Sequence, residues 1–159
     1  GGGDWSQDRI VPDLVRSLLA GIDLKVRNPN STRPWQHVLE PLSGYILLAE
    51  NLASSKKSSF QGAFNFGPES RDYQTVGHLI EEACKHWPGR WEELSEFDQP
   101  YEANTLGLTI EKAKYQLGWK PRWNFSETVR YTMEWYRSFH SGEVNIRSLC
   151  QKQIEEYSN

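Results

Sequence analysis

Apolar residues at helical spacing alternate along this chain with strand-like stretches of five residues or fewer, and that alternation points to a mixed α and β layered domain. The first helix is expected over Ile10–Ala20, with Pro12 tolerated in its first turn, Leu14, Leu18 and Leu19 as its buried stripe, and Gly21 as its stop. Residues 24–27 read as a short strand that runs into the Asn28-Pro29-Asn30-Ser31 turn. A second helix is expected over 41–52, built on Leu42, Tyr45, Ile46, Ala49 and Leu52, and 62–66 reads as a short buried strand closed by Gly67-Pro68. Thr75 is an N-cap for Val76–His86, whose Val76, Leu79, Ile80 and Ala83 share a face. Residues 91–94 read as a strand. Thr109 is expected to cap 110–117, and Gly118 to end it. Ser126 is expected to cap 127–139, with Val129, Met133 and Tyr136 inward, and the tail 143–159 holds a last helix. The order of the strands is not legible in this pattern.

Length and charge narrow the function classes. At 159 residues the chain makes about one domain, and 18 Lys+Arg against 21 Asp+Glu give a net charge of −3. No basic run exceeds Lys56-Lys57, so the electrostatic footprint of a nucleic-acid partner is absent. The longest apolar run, 45–49, is far short of the ~20 residues that cross a bilayer, and no basic segment followed by an apolar one opens the chain. Cys84 and Cys150 stand far apart without ligand-spaced histidines, which argues against a structural metal and against a disulfide framework. A reducing cytoplasm is the expected compartment.

Several catalytic devices are missing from the sequence. There is no Gly-x-Gly-x-x-Gly turn to bring backbone amides against a pyrophosphate, no Walker A loop, no Gly-x-Ser-x-Gly elbow, no His-Glu-x-x-His and no Tyr-x-x-x-Lys pair. His37, His78, His86 and His140 lack a cysteine or serine partner in an evident setting. No catalytic residue is therefore assigned within this chain.

The informative segment is Val26-Arg27-Asn28-Pro29-Asn30-Ser31-Thr32-Arg33-Pro34-Trp35-Gln36-His37-Val38. It sets two guanidiniums, carboxamides and an indole on a stiff turn; a guanidinium fork suits phosphate oxygens and an indole face suits a base or a sugar. On composition alone the commoner reading is a surface turn with one Trp in the core. Arg9 stands at the mouth of the first helix, where free amides and the helix dipole favour an anion, though a solvated arginine is the commoner case. Glu102, after Tyr101, offers a carboxylate to a sugar hydroxyl or is simply solvated.

Gly-Gly-Gly-Asp-Trp at 1–5, Asp-Arg-Ile-Val-Pro-Asp at 8–13, the block from Arg27 to Tyr45, Asn-Phe-Gly-Pro at 65–68, Leu-Gly-Trp-Lys-Pro-Arg-Trp at 117–123 and Gln-Ile-Glu-Glu-Tyr at 153–157 occur in order. Together they resemble the CDP-glucose 4,6-dehydratases of the extended short-chain dehydrogenase/reductase superfamily. Arg-Pro-Trp-Gln-His-Val in place of an Arg-Asp-x-x-x-Val pattern favours these dehydratases over a related nucleotide-sugar epimerase, decarboxylase or reductase; a non-catalytic nucleotide-sugar binding module is the alternative of another class. The resemblance implies an α/β fold: residues 1–159 as the C-terminal, substrate-binding portion of a Rossmann-type enzyme, with the NAD-binding N-terminal half outside this chain. It also implies a lyase that converts CDP-D-glucose to CDP-4-dehydro-6-deoxy-D-glucose and water, works as a homo-oligomer when intact, and serves deoxysugar synthesis for lipopolysaccharide O-antigen. Arg33 resembles the superfamily's diphosphate clamp, Arg9 the basic position at the helix mouth, Val26 the strand position beside the base, and Glu102 a late loop that closes over the nucleotide. His37 is left structural. Apolar faces that would pack on the cofactor half are expected to lie exposed.

Overall fold

Gly21 adopts the left-handed conformation (φ 67°) and caps α1 (Ile10–Ala20) through its N–H to the Leu18 and Ser17 carbonyls, so the first helix ends where its sequence stops it. Leu14 and Val15 form its buried face, whereas Leu19 is 39% exposed: the inward stripe is set by Val15 instead. The computed structural model describes residues 1–54, 60–94 and 104–159. After α1 come β1 (Leu24–Val26), β2 (Thr32–Arg33), α2 (Leu39–Ser54), β3 (Gln74–Thr75), α3 (Val76–His86), β4 (Trp91–Glu93), α4 (Phe125–Ser141) and α5 (Ile146–Ser158). β1 pairs in parallel with β4, Leu24 opposite Trp91. β2 pairs antiparallel with β3, Arg33 opposite Gln74, and Thr32 forms an isolated bridge with Thr105.

The main core lies where α1, α3 and α4 close over β1, around Leu14, Val15, Val26, Ile80, Met133 and Tyr136. Each such side chain, fully buried, contributes about 1.5–3 kcal/mol. Thr75 caps α3 as expected, its hydroxyl accepting from the His78 N–H. For α4 the cap is Asn124 and not Ser126. Asn124 accepts from the Glu127 N–H while Glu127 accepts from the Asn124 N–H, a reciprocal box that starts the helix earlier. Residues 113–117 form a π-helical turn closed by left-handed Gly118, where a regular helix was expected. Residues 62–66, read as a strand, form none: among the described residues no strand includes or pairs with them.

The orientation of α2 departs most from its sequence. Its inward residues are Glu40 and Gly44, while Leu42, Tyr45, Ile46 and Leu52 are exposed, Ile46 by 61%. Gly44 is required there because a Cβ would lie 2.2 Å from the Phe66 ring. Glu40, 1% exposed, accepts from the backbone N–H of Arg122 (3.0 Å), the backbone N–H of Trp123 (2.8 Å) and the Tyr157 hydroxyl (2.7 Å). That carboxylate joins α2, residues 119–124 and α5.

Burial raises the Glu40 pKa, and the hydrogen bonds from Trp123, Tyr157 and Arg122 only partly oppose it. A carboxyl raised in the folded state contributes stability below its unfolded value of 4.5, and that contribution is lost as pH rises through the folded value. Glu40→Gln is therefore expected to flatten the loss of stability above pH 4.5. Urea midpoints from about pH 4 to about pH 8 measure this, and a parent–variant difference independent of pH would contradict it.

Candidate functional site

The Asn28–Ser31 turn is tied to the start of α3. Gly77 N–H donates to the Pro29 carbonyl at 2.8 Å, Val76 N–H to the Ser31 carbonyl at 3.0 Å, and a Cβ at Gly77 would stand 3.3 Å from the Pro29 oxygen. On its other edge β2 is held by Thr32 N–H to Asn104 O (2.8 Å) and Leu106 N–H to Thr32 O (3.2 Å). Arg33, half-buried, donates from Nη1 to the Thr32 carbonyl at 2.9 Å. Downstream, the Trp35 indole donates to Gln74 O and the Gln36 amide to Phe66 O, each at 2.9 Å. The segment that carries Arg33 is thus fastened along both edges, which limits the conformational entropy it would lose on binding.

Arg9 is exposed at the N-cap of α1 in extended conformation, and its carbonyl accepts the Asp13 N–H at 2.9 Å. Asp4 lies close by; hydrogen bonds from Ser6 lower its pKa, with smaller help from Arg9 and Arg16. Val26 is 3% exposed with its side chain in the core, while Lys25 and Arg27 on either side of it face outward. A cavity of about 380 Å³ is lined by Val26 together with Asp8, Ile10, Arg27, Asn28 and Val76, so Val26 and the residues flanking Arg9 share one space. Arg27 pairs with Asp8 across it at 3.6 Å. None of the principal cavities among the described residues is lined by Arg9 or Arg33. Glu102 lies outside the described residues.

An adjoining polar cavity of about 280 Å³ is lined by Arg27, Asn28, Asn30, Ser31, Glu93 and Asn104, at the carboxyl ends of the parallel strands β1 and β4, where ligands of open α/β sheets bind. Sequence reasoning passed over Glu93 and Asn104. They reach the turn only through pairings across more than sixty residues, and no local signal announces that.

The triglycine is structurally required. A Cβ at Gly2 would fall 2.0 Å from Cδ2 of Trp135, and Gly3 has φ 91°. The Trp135 ring cannot slide away easily: it stacks on Phe139 at 5.2 Å and donates to Cys150 Sγ at 3.2 Å. Gly2→Val is expected to destabilise the chain by about 1–3 kcal/mol through overpacking, outweighing the smaller gain from a stiffer unfolded chain. A urea midpoint equal to the parent's would show that the contact relaxes without cost.

No family model matches the chain. CDP-glucose 4,6-dehydratase of Salmonella typhimurium is 41% identical over 160 residues, 99% of this chain, which spans only 44% of that relative's length, its C-terminal portion. Escherichia coli dTDP-glucose 4,6-dehydratase 1 is 24% identical over 153 residues and is spanned to 42%. Among solved structures, Bacillus anthracis dTDP-glucose 4,6-dehydratase in complex with NAD superposes with a TM-score of 0.70 over 89% of this chain and 43% of that one, at 18% identity. Stenotrophomonas maltophila UDP-glucose-4-epimerase with bound NAD and formylated UDP-arabinopyranose gives 0.71 over 88% and 43%, at 16% identity. The fold is that of the extended short-chain dehydrogenases, C-terminal part.

The residues of this chain do not themselves fit NAD. β1 runs into the 28–31 turn and not a helix, β3 passes into α3 without a glycine-rich turn, and no Tyr-x-x-x-Lys pair is present.

Proposed function

We propose that this chain is the nucleotide-sugar-binding portion of a CDP-glucose 4,6-dehydratase, the lyase that turns CDP-D-glucose into CDP-4-dehydro-6-deoxy-D-glucose and water. The observation that carries this reading is the 41% identity to the Salmonella enzyme over 99% of the chain, against 22–24% to the dTDP-glucose dehydratases. In this reading NAD is held by a cofactor-binding portion outside residues 1–159, the catalytic groups lie there too, and the intact enzyme is a cytoplasmic homo-oligomer serving deoxysugar synthesis for lipopolysaccharide O-antigen. Among the described residues no helix is long and apolar enough to cross a membrane.

Arg33 clamps the diphosphate, Arg9 adds positive potential at the mouth of α1, Val26 supports the strand beside the base, and Glu102 closes over the nucleotide from its loop. Binding energy from these remote contacts orients the hexose for chemistry performed by the other portion. With NAD and CDP-glucose, the 159-residue chain alone is expected to give no 4-dehydro sugar. Added to the segment of the Salmonella relative that it does not span, it is expected to restore turnover. Product from the chain alone would overturn the division of labour.

A further inference from the structure

The cavity between the head of α1 and β1, about 380 Å³, has a size that takes a small ligand. Ile10, Val26 and Val76 give it apolar walls, and Asp8 and Arg27 stand across it from each other at 3.6 Å. Asp13 and Lys25 also border it, but each is engaged by an ion pair of its own, with Arg16 and with Glu92. Asp8 is, among the described residues, the one non-glycine with a left-handed backbone, φ 56°, a conformation that Asp tolerates better than most side chains. That turn sets its carboxylate opposite the Arg27 guanidinium. Both side chains are largely exposed, so their ion pair contributes little by itself, and each retains hydrogen-bonding capacity for a third group.

A carboxylate only accepts and a guanidinium only donates. The hydrogen-bonding edge of cytosine carries a donor, the 4-amino group, and an acceptor, O2, whereas thymine and uracil carry the O4 acceptor where cytosine has its amine. We propose that Asp8 and Arg27 read the base of the nucleotide sugar: Asp8 accepts from the 4-amino group of cytosine, Arg27 donates to O2, and the ring lies among the apolar walls. This rests on the reading of the chain as the CDP-sugar-binding portion and names the side chains that select the base. A thymine or uracil seated in the same way sets O4 against the Asp8 oxygens, acceptor against acceptor. The pair thus repels the wrong base as well as attracting the right one, which is how a difference in affinity is built.

Calorimetric titration of the 159-residue chain with CDP-glucose and with dTDP-glucose gives the ratio of the two affinities, for the parent, for Asp8→Asn and for Arg27→Ala. Asn also tolerates the left-handed backbone, and its carboxamide can turn to donate to O4, so the ratio in favour of CDP-glucose is expected to fall about tenfold. Arg27→Ala removes a donor to an oxygen that both bases carry; it is expected to weaken both ligands by similar factors and to leave the ratio where it was. A third measurement needs no variant: a CDP-glucose analogue without the 4-amino group is expected to bind the parent about tenfold more weakly than CDP-glucose. A parent that prefers CDP-glucose, with a ratio untouched by Asp8→Asn or with the analogue bound as tightly as CDP-glucose, overturns the base readout and leaves the functional reading standing. A parent that binds neither sugar nucleotide, or both equally, overturns the functional reading and the readout with it.

Discussion

Glu40→Ala is expected to destabilise the chain by about 3–5 kcal/mol, because it leaves three donors without their acceptor, each at a cost of about 1–3 kcal/mol where buried. The substitution removes the acceptor for two backbone N–H groups, of Arg122 and Trp123, and for the Tyr157 hydroxyl, and Trp123 and Tyr157 are both buried. The partners are themselves locked: the Ser43 hydroxyl lies 3.0 Å from the Tyr157 oxygen and accepts from the Trp119 indole at 2.9 Å, and Arg122 donates to the Tyr157 carbonyl at 2.7 Å. They cannot turn elsewhere cheaply. For a domain of this size the loss corresponds to a thermal midpoint lowered by about 6–20 °C. Tyr157→Phe, which removes one hydrogen bond to the charged group, is expected to cost about 1.5–3 kcal/mol. Urea unfolding measures both, and a Glu40→Ala loss below about 1 kcal/mol would show that residues 119–124 and α5 are held by apolar packing alone.

Arg33→Ala is expected to weaken CDP-glucose binding by about 1.5–3 kcal/mol, roughly 10- to 150-fold, as for a lost hydrogen bond to a charged group. The backbone of β2 is hydrogen-bonded to Gln74–Thr75 on one side and to Asn104 and Leu106 on the other, so truncating this side chain removes the guanidinium without releasing the strand. Stability should change less than affinity, because the backbone bonds that hold the strand remain. Calorimetric titration checks the affinity, and an unchanged value would take Arg33 out of the site.

Helices whose ends are written locally were legible. α1 and α3 fall on their expected residues because Gly21 and Thr75 act within a few positions of themselves. α4 begins earlier than expected since Asn124 and Glu127 satisfy each other, which leaves the Ser126 hydroxyl to bond Glu82. What depends on distant partners was not legible. The apolar stripe of α2 marks a helix but not which way it faces, and the polar residue at position 40 is inward because its partners arrive 82 to 117 residues later. In the candidate site, Arg33 stood out through Arg-Pro-Trp and Arg9 through the head of α1. Val26, named as a neighbour of the base, has its side chain in the core, and the outward positions of its strand belong to Lys25 and Arg27. A three-residue strand carries too short an alternation to assign its faces.

The most direct measurement is a calorimetric titration of the 159-residue chain with CDP-glucose, dTDP-glucose and UDP-glucuronic acid in parallel, without NAD. Saturable binding in the micromolar range for CDP-glucose, weaker for the other two and weakened by Arg33→Ala, is the predicted result. Equal affinity for all three, or no heat with CDP-glucose at millimolar concentration, would contradict the assignment of this chain as the part that grips a CDP-sugar.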